Sequence, residues 1–304
     1  MKLASLIGRM SDRKPPEAAI PTPPAAQVAP TKLEFDSFQD YDIVRYLNFT
    51  SQPLLIQKSK LLIYWSPRCA CTKIVVWYLR QVGLLSAANF FSGWPHDFRV
   101  QFLYRSNQFK NWQKAVKVEQ TQSVKFVRHP FQRAVSSYRH ILMSPGGGPN
   151  NHHAILTQFL GRRVSPDDGV TFKEYLDYCE ARMAWAFDHH HRVQYHPLER
   201  ILPAQCVYRL EDIDLGEALN QLATKNDLPD KAIENNPTYK RIDAGHKAPI
   251  DGKFAGADVS GTVFSANDAR QAWPGTDALL TDATKARIRQ IFALDFEAYY
   301  PGDA

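Results

Sequence analysis

Three stretches in which an apolar run is followed by a helical period predict an α/β fold. The expectation is three layers, with a parallel central sheet and helices on both faces. The stretches run from Leu61 to Val82, from Ser123 to Met143 and from Gln205 to Leu222. The first begins with the strand Leu61-Leu62-Ile63-Tyr64, which Ser66-Pro67 breaks because proline cannot donate to a sheet ladder. From Thr72 onward Ile74, Val75, Tyr78, Leu79 and Val82 recur at helical spacing until Gly83 stops the helix. Between strand and helix lie Arg68, Cys69, Ala70, Cys71, Thr72 and Lys73, small residues flanked by cations. Such a turn aims free backbone N–H groups and a helix dipole at an anion, and the Thr72 hydroxyl is placed to cap the helix or to contact a phosphate. The stretch lacks the G-x-x-x-x-G-K-[ST] pattern, so an ordinary structural turn competes with a phosphate-handling loop.

The second stretch pairs the strand Ser123–Val127 with a helix that Pro130 starts and that runs to about Met143. Ser144-Pro145-Gly146-Gly147-Gly148-Pro149 stops it. Arg128 ends the strand and Ser136 lies two turns into the helix, so a guanidinium can clamp a phosphate while a hydroxyl approaches from the helix. The third stretch is a strand over Gln205–Asp212 and a helix over Leu215–Leu222. There Arg209 either contacts a ligand or pairs with Glu211 or Asp212.

Around this centre, residues 1–32 form a Pro- and Ala-rich segment expected to be a disordered leader, and residues 33–304 are expected to be one domain. Leu33–Leu54 reads as a helical or irregular cover, with the core beginning at Leu61. Ala87–Lys117 interleaves aromatic and basic residues, which suits a groove for sugars or single-stranded nucleic acid as well as ordinary packing. Lys240–Lys247 reads as a basic loop.

At 304 residues and 44% hydrophobic, the chain can bury one sizeable core. No apolar run approaches the roughly 20 residues of a membrane helix. The apolar patch in Met1–Met10 is too short for a secretory signal. The expected location is cytoplasmic, with a membrane-peripheral placement as the variant. A net charge of +6 and a pI near 9.0 suit a partner carrying phosphate, sulfate or carboxylate. The basic residues are spread along the chain, so no dedicated nucleic-acid segment exists and no nucleic-acid partner is expected. Cys69, Cys71, Cys179 and Cys206 form neither a structural disulfide pattern nor a zinc site.

Arg128-x-Pro130-x-x-Arg133-x-x-Ser136-x-Tyr138 resembles the 3′-phosphate-binding motif of sulfotransferases that use 3′-phosphoadenosine 5′-phosphosulfate (PAPS). Val127–Arg133 is similar to the carbohydrate branch of that family, Golgi-type and bacterial. Pro67-Arg68-Cys69-Ala70-Cys71-Thr72 is similar to the same branch's 5′-phosphosulfate loop, and the two motifs stand in the family's order. Asp188–Gln194 resembles a downstream His-x-Arg-x-Gln element, with His190 and Gln194 on the matching positions. Leu280–Tyr299 looks like the family's closing helix and Asp-Phe finish.

The resemblance implies a P-loop-like fold and transfer of sulfate from PAPS to a hydroxyl of a carbohydrate or glycolipid acceptor, without a metal. It implies that Arg68, Cys69, Ala70, Cys71, Thr72 and Lys73 hold the 5′-phosphosulfate, and that Arg128 and Ser136 hold the 3′-phosphate. The family usually carries lysine immediately after the loop proline, where this chain has Arg68. Arginine keeps the charge but does not release its proton, so Arg68 stabilises charge electrostatically and Lys73 shares the role of catalytic cation. His190 is the expected base, since imidazole with a pKa of about 6.5 takes a hydroxyl proton near neutral pH. Adjacent His189, His190 and His191 cannot all converge on one metal ion in regular structure. Two other classes stay open: a catalytically impaired PAPS- or glycan-binding protein, and a nucleotide-dependent kinase of related fold.

Overall fold

The computed structural model describes residues 47, 51–143, 152–181, 189–229, 232–245 and 250–303. The expected leader at 1–32 and the loop at 144–149 lie outside the described residues. The strands are β1 (Leu54–Ile56), β2 (Leu61–Tyr64), β3 (Gln122–Val127), β4 (Val170–Thr171), β5 (Cys206–Arg209) and β6 (Val263–Phe264). The helices before the second unit are α1 (Cys71–Gln81), α2 (Leu85–Phe91), α3 (Pro95–Phe98) and α4 (Asn107–Lys114). Then come α5 (Pro130–Met143), α6 (His152–Leu160), α7 (Phe172–Ala181), α8 (Leu215–Lys225) and α9 (Pro237–Gly245). The last are α10 (Ala266–Gln271), α11 (Thr276–Leu279), α12 (Asp282–Ile291) and α13 (Ala293–Tyr299).

The architecture is mixed α/β around a four-stranded, mostly parallel sheet in the order β1-β2-β3-β5. β2, β3 and β5 are parallel, as expected, and β1 adds an antiparallel edge. That strand corrects the expectation that the core begins at Leu61, because Leu54, Leu55 and Ile56 are all buried. It was invisible as a strand because three apolar residues carry no period. Its reversal into β2 passes through a 3-10 turn at Gln57–Ser59 and Lys60 at φ 52°. β4 and β6 form a separate antiparallel ribbon.

Both sides of β2 are covered. Leu61 and Ile63 meet Ile74, Val75 and Leu79 of α1 and Leu219 and Leu222 of α8. Leu62 and Tyr64 meet Leu55, Leu198 and Leu202 in a second cluster. This is the period-2 alternation of a strand with apolar neighbours on each face. A third cluster joins Tyr138 and Ile141 of α5 to Tyr175 and Leu176 of α7 and to Ile288, Phe292 and Phe296 near the end of the chain.

The local signals act as expected where they are strong. Gly83 at φ 74° ends α1, with Leu84 N–H donating to the Leu79 carbonyl (2.7 Å) and Gly83 N–H to that of Arg80 (3.1 Å). Pro130 starts α5, and the His129 ring accepts from Phe131 N–H (3.3 Å) as a cap. Two expectations need correction. Lys240 and Arg241 lie in α9 rather than in a loop, and the closing segment is two helices that meet at Phe292.

Candidate anion-binding site at the ends of β2 and β3

The 5′ loop leaves β2 at Trp65 and turns through two left-handed residues, Arg68 at φ 67° and Ala70 at φ 52°. Left-handed backbone at residues other than glycine costs about 1–2 kcal/mol and persists where the surroundings impose it. Ala70 caps α1 without a side-chain hydrogen bond, and the first turn carries no acidic residue. The positive end of the helix dipole is therefore not neutralised by a carboxylate from its own first turn.

The second unit supplies cations and a hydroxyl. Arg68 Nε and Nη2 both donate to Ser136 Oγ, at 3.1 and 3.0 Å, which joins the predicted 5′ loop to the predicted 3′-phosphate helix. Burial pushes the Arg68 guanidinium below its ordinary value, and the nearby charges of Arg128 and Arg139 push the same way. Burial likewise lowers Arg128. The Arg128 guanidinium has no hydrogen-bond acceptor and no ion-pair partner among the described residues. Arg68 thus lies in the field of two further guanidiniums, a setting that favours an anion beside it. Arg139, one turn beyond Ser136, was missed in the sequence, although helical spacing puts it on the Ser136 face.

A buried relay locks the two units together. The Gln194 side-chain oxygen accepts from Cys69 Sγ (2.8 Å) and from Arg128 N–H (2.8 Å), and its amide nitrogen donates to the Arg128 carbonyl (2.9 Å). Asp295 accepts from the backbone N–H groups of Gln194 (2.6 Å) and Tyr195 (3.1 Å). Burial pushes the Asp295 carboxyl up and the Cys69 thiol up to about 11, so Cys69 stays a protonated donor. Lys125, wholly buried in β3, donates to the Gln194 carbonyl and pairs with Glu199, which also accepts from Tyr299. Arg133 donates to the carbonyls of Pro67, Arg192 and His189, so it positions the loop. The His-x-Arg-x-Gln and Asp-Phe segments thus act here through Gln194 and Asp295.

The remaining predicted residues fall in different places. Thr72 shares a 3.1 Å hydrogen bond with Nε2 of His96, a residue that no motif or period singles out. Its ring lies between Trp65 and Trp94, at 5.9 and 5.4 Å between centroids. The Lys73 ammonium lies 5.2 Å from the centre of the Tyr239 ring on α9. The His190 carbonyl accepts from Ser137 Oγ (2.9 Å), and its ring stacks with His140 (4.5 Å) and His189 (4.6 Å). No cluster of three or more His, Cys, Asp or Glu able to hold a metal occurs among the described residues. Arg209 stacks on Tyr300 at 4.9 Å, while Glu211 accepts from the Tyr300 hydroxyl and His129 N–H.

Strand ends, an uncapped helix start and convergent arginines define an α/β protein suited to holding an anionic ligand. The sequence model of the sulfotransferase family matches residues 95–301, and the chain belongs to that family. No curated protein matches the chain, and no solved structure does. The matched span includes Arg128, Ser136, His190 and Gln194, and begins after the 5′ loop. Membership makes the chain a transferase by family, with PAPS as the implied sulfate donor and an acceptor as its second substrate.

Proposed function

We propose that the protein transfers sulfate from PAPS to a hydroxyl of a carbohydrate acceptor, within a single domain of residues 33–304 and a three-layer, P-loop-like frame. The observation that carries this reading is the Arg128 guanidinium, half-buried and with no hydrogen-bond acceptor among the described residues, near the Arg68–Ser136 pair. Arg128 and Ser136 are fitted to a 3′-phosphate, and Arg68 joins them to the 5′ loop. The start of α1, from Ala70 to Lys73, is fitted to the 5′ side. PAPS supplies an activated sulfuryl group, so the chain's task is to position it, stabilise charge and accept a proton. No metal takes part in this reading, and the cytoplasm is its proposed location.

Arg68 and Lys73 supply positive charge to the 5′ loop. By resemblance the base is His190. The bond between His96 and Thr72 favours a second candidate, because it puts an imidazole against the 5′ loop. Variants separate them: the base is the residue whose change to Ala lowers kcat by about 100-fold or more while nucleotide affinity is unchanged. The Arg68–Ser136 bond also favours a second reading, a PAPS- or glycan-binding protein without turnover, because it commits Arg68 to Ser136.

Calorimetric titration with 3′-phosphoadenosine 5′-phosphate tests the nucleotide site. Wild type is expected to bind, and Arg128→Ala to lose about 100-fold in affinity, the worth of two charge-assisted hydrogen bonds. No binding by folded wild-type protein overturns the proposal. Nucleotide binding with no sulfate release over a broad glycan panel establishes the second reading.

A further inference from the structure

We propose that the surface formed by α2, α3 and the π-helical turn Arg99–Leu103 docks on an anionic lipid bilayer. Of the eight large hydrophobic residues exposed among the described residues, five lie between Phe90 and Phe102: Phe90, Phe91, Trp94, Val100 and Phe102. Phe90 is 96% exposed, Phe102 51% and Trp94 44%. They form a patch, since the Phe91 ring lies 4.5 Å from that of Phe102 and Phe98 stacks on Phe102 at 5.6 Å. An apolar cluster of this kind marks an interaction site. Phenylalanine and tryptophan suit the headgroup boundary of a bilayer, where an aromatic ring is buried by only part of its depth.

Charge selects the occupant. The Arg241 guanidinium donates to the Gly93 carbonyl (2.9 Å), which fixes a cation at the segment that carries Phe91 and Trp94. Lys240 beside it and Arg105 just beyond the turn are exposed. Asp97, the one carboxylate from Leu84 to Lys117, accepts from Ser92 Oγ (2.9 Å). Exposed aromatics with a cationic rim complement an anionic lipid surface better than a second copy of the same cationic patch. His96 of α3 bonds Thr72 of the 5′ loop, so docking holds that loop near the headgroups. Resting on the sulfate-transfer reading, this position suits an acceptor whose carbohydrate is carried on a lipid.

The test is flotation of the full chain, without nucleotide, on phosphatidylcholine vesicles with and without phosphatidylglycerol. Wild type is expected to float with the anionic vesicles and to be released by salt. Phe90→Ser and Phe102→Ser are each expected to weaken partitioning by roughly tenfold, the worth of one phenyl ring removed from water. Arg241→Gln, which keeps the ring cluster, is expected to weaken anionic binding by a few-fold. An unchanged thermal midpoint shows that each variant is folded. No flotation by wild type, or equal flotation by wild type and folded Phe90→Ser, overturns the proposal. So does self-association of wild type, without flotation, that Phe90→Ser abolishes, because the face then belongs to a second copy. None of these outcomes depends on nucleotide binding, so the docking surface and the transferase reading stand or fall separately.

Discussion

At the end of β2 the chain enters α1 through two left-handed residues, Arg68 and Ala70, and the helix start has no side-chain cap. At the end of β3 it enters α5 through His129 and Pro130, with a ring cap on Phe131 N–H and no left-handed residue. The first unit thus offers backbone N–H groups at a strained, uncapped helix start, whereas the second offers side chains, Arg128 and Ser136, from a relaxed one. The two units draw their stability from different sources. The second takes its helix start from local sequence, Pro130 and the His129 ring cap, and needs Gln194 only at the Arg128 backbone. The first is held by partners far along the chain: Gln194 against Cys69, and Arg133 against the Pro67 carbonyl.

If distant partners hold the first unit, removing their anchor does the most damage. Asp295→Ala leaves the buried N–H groups of Gln194 and Tyr195 without their acceptor, at about 1–3 kcal/mol each. The expected loss is about 4 kcal/mol, read as a lower urea midpoint at unchanged slope. Nucleotide affinity should fall with it, because Gln194 also fixes the Arg128 backbone. A loss below about 1 kcal/mol would mean that the loop holds its own shape.

The intermediate effect is in pH. The Cys69 thiol, with an ordinary value of 9.0, is pushed up to about 11 by burial. Its folded value is raised, so its contribution is intact below pH 9 and is lost as pH rises toward 11, where the unfolded chain ionises first. Cys179, pushed up to about 12 by burial in the third cluster, acts in the same direction. Stability should therefore fall by up to a few kcal/mol between about pH 9 and 11, and Cys69→Ala should remove part of that slope. If the melting curves of Cys69→Ala and wild type keep the same slope, the thiol is not shielded inside the loop.

The same contrast explains what was legible in the sequence. Pro130, Gly83 and the helical period from Ile74 to Val82 act within a few residues, so both strand–turn–helix units could be read directly. The pairing of Arg68 with Ser136 could be expected only through resemblance, since it joins two separate motifs. The relay from Lys125 through Glu199 and Gln194 to Asp295 left one local trace, because every partner but Lys125 looks ordinary on its own element. That trace is a lysine between Val124 and Phe126 in β3, as buried lysine requires a partner. His96 was missed for a related reason: its meaning is a single contact with Thr72, from a segment with no regular period.

The smallest effect isolates the strain itself. Ala70 sits at φ 52°, where an L-residue costs about 1–2 kcal/mol and glycine costs almost nothing. Glycine also frees the unfolded chain, which cancels about 0.5–1 kcal/mol of that gain. Ala70→Gly is therefore expected to raise stability by about 0.5–1 kcal/mol, read as a small increase in the urea midpoint. Because Gln194, Arg133 and Ser136 hold the loop from outside, nucleotide affinity should stay within about twofold of wild type. A gain in stability with a large loss of affinity would reverse the assignment. It would mean that alanine stiffens the helix start for its ligand, and that the strain at Ala70 belongs to binding rather than to the packing around it.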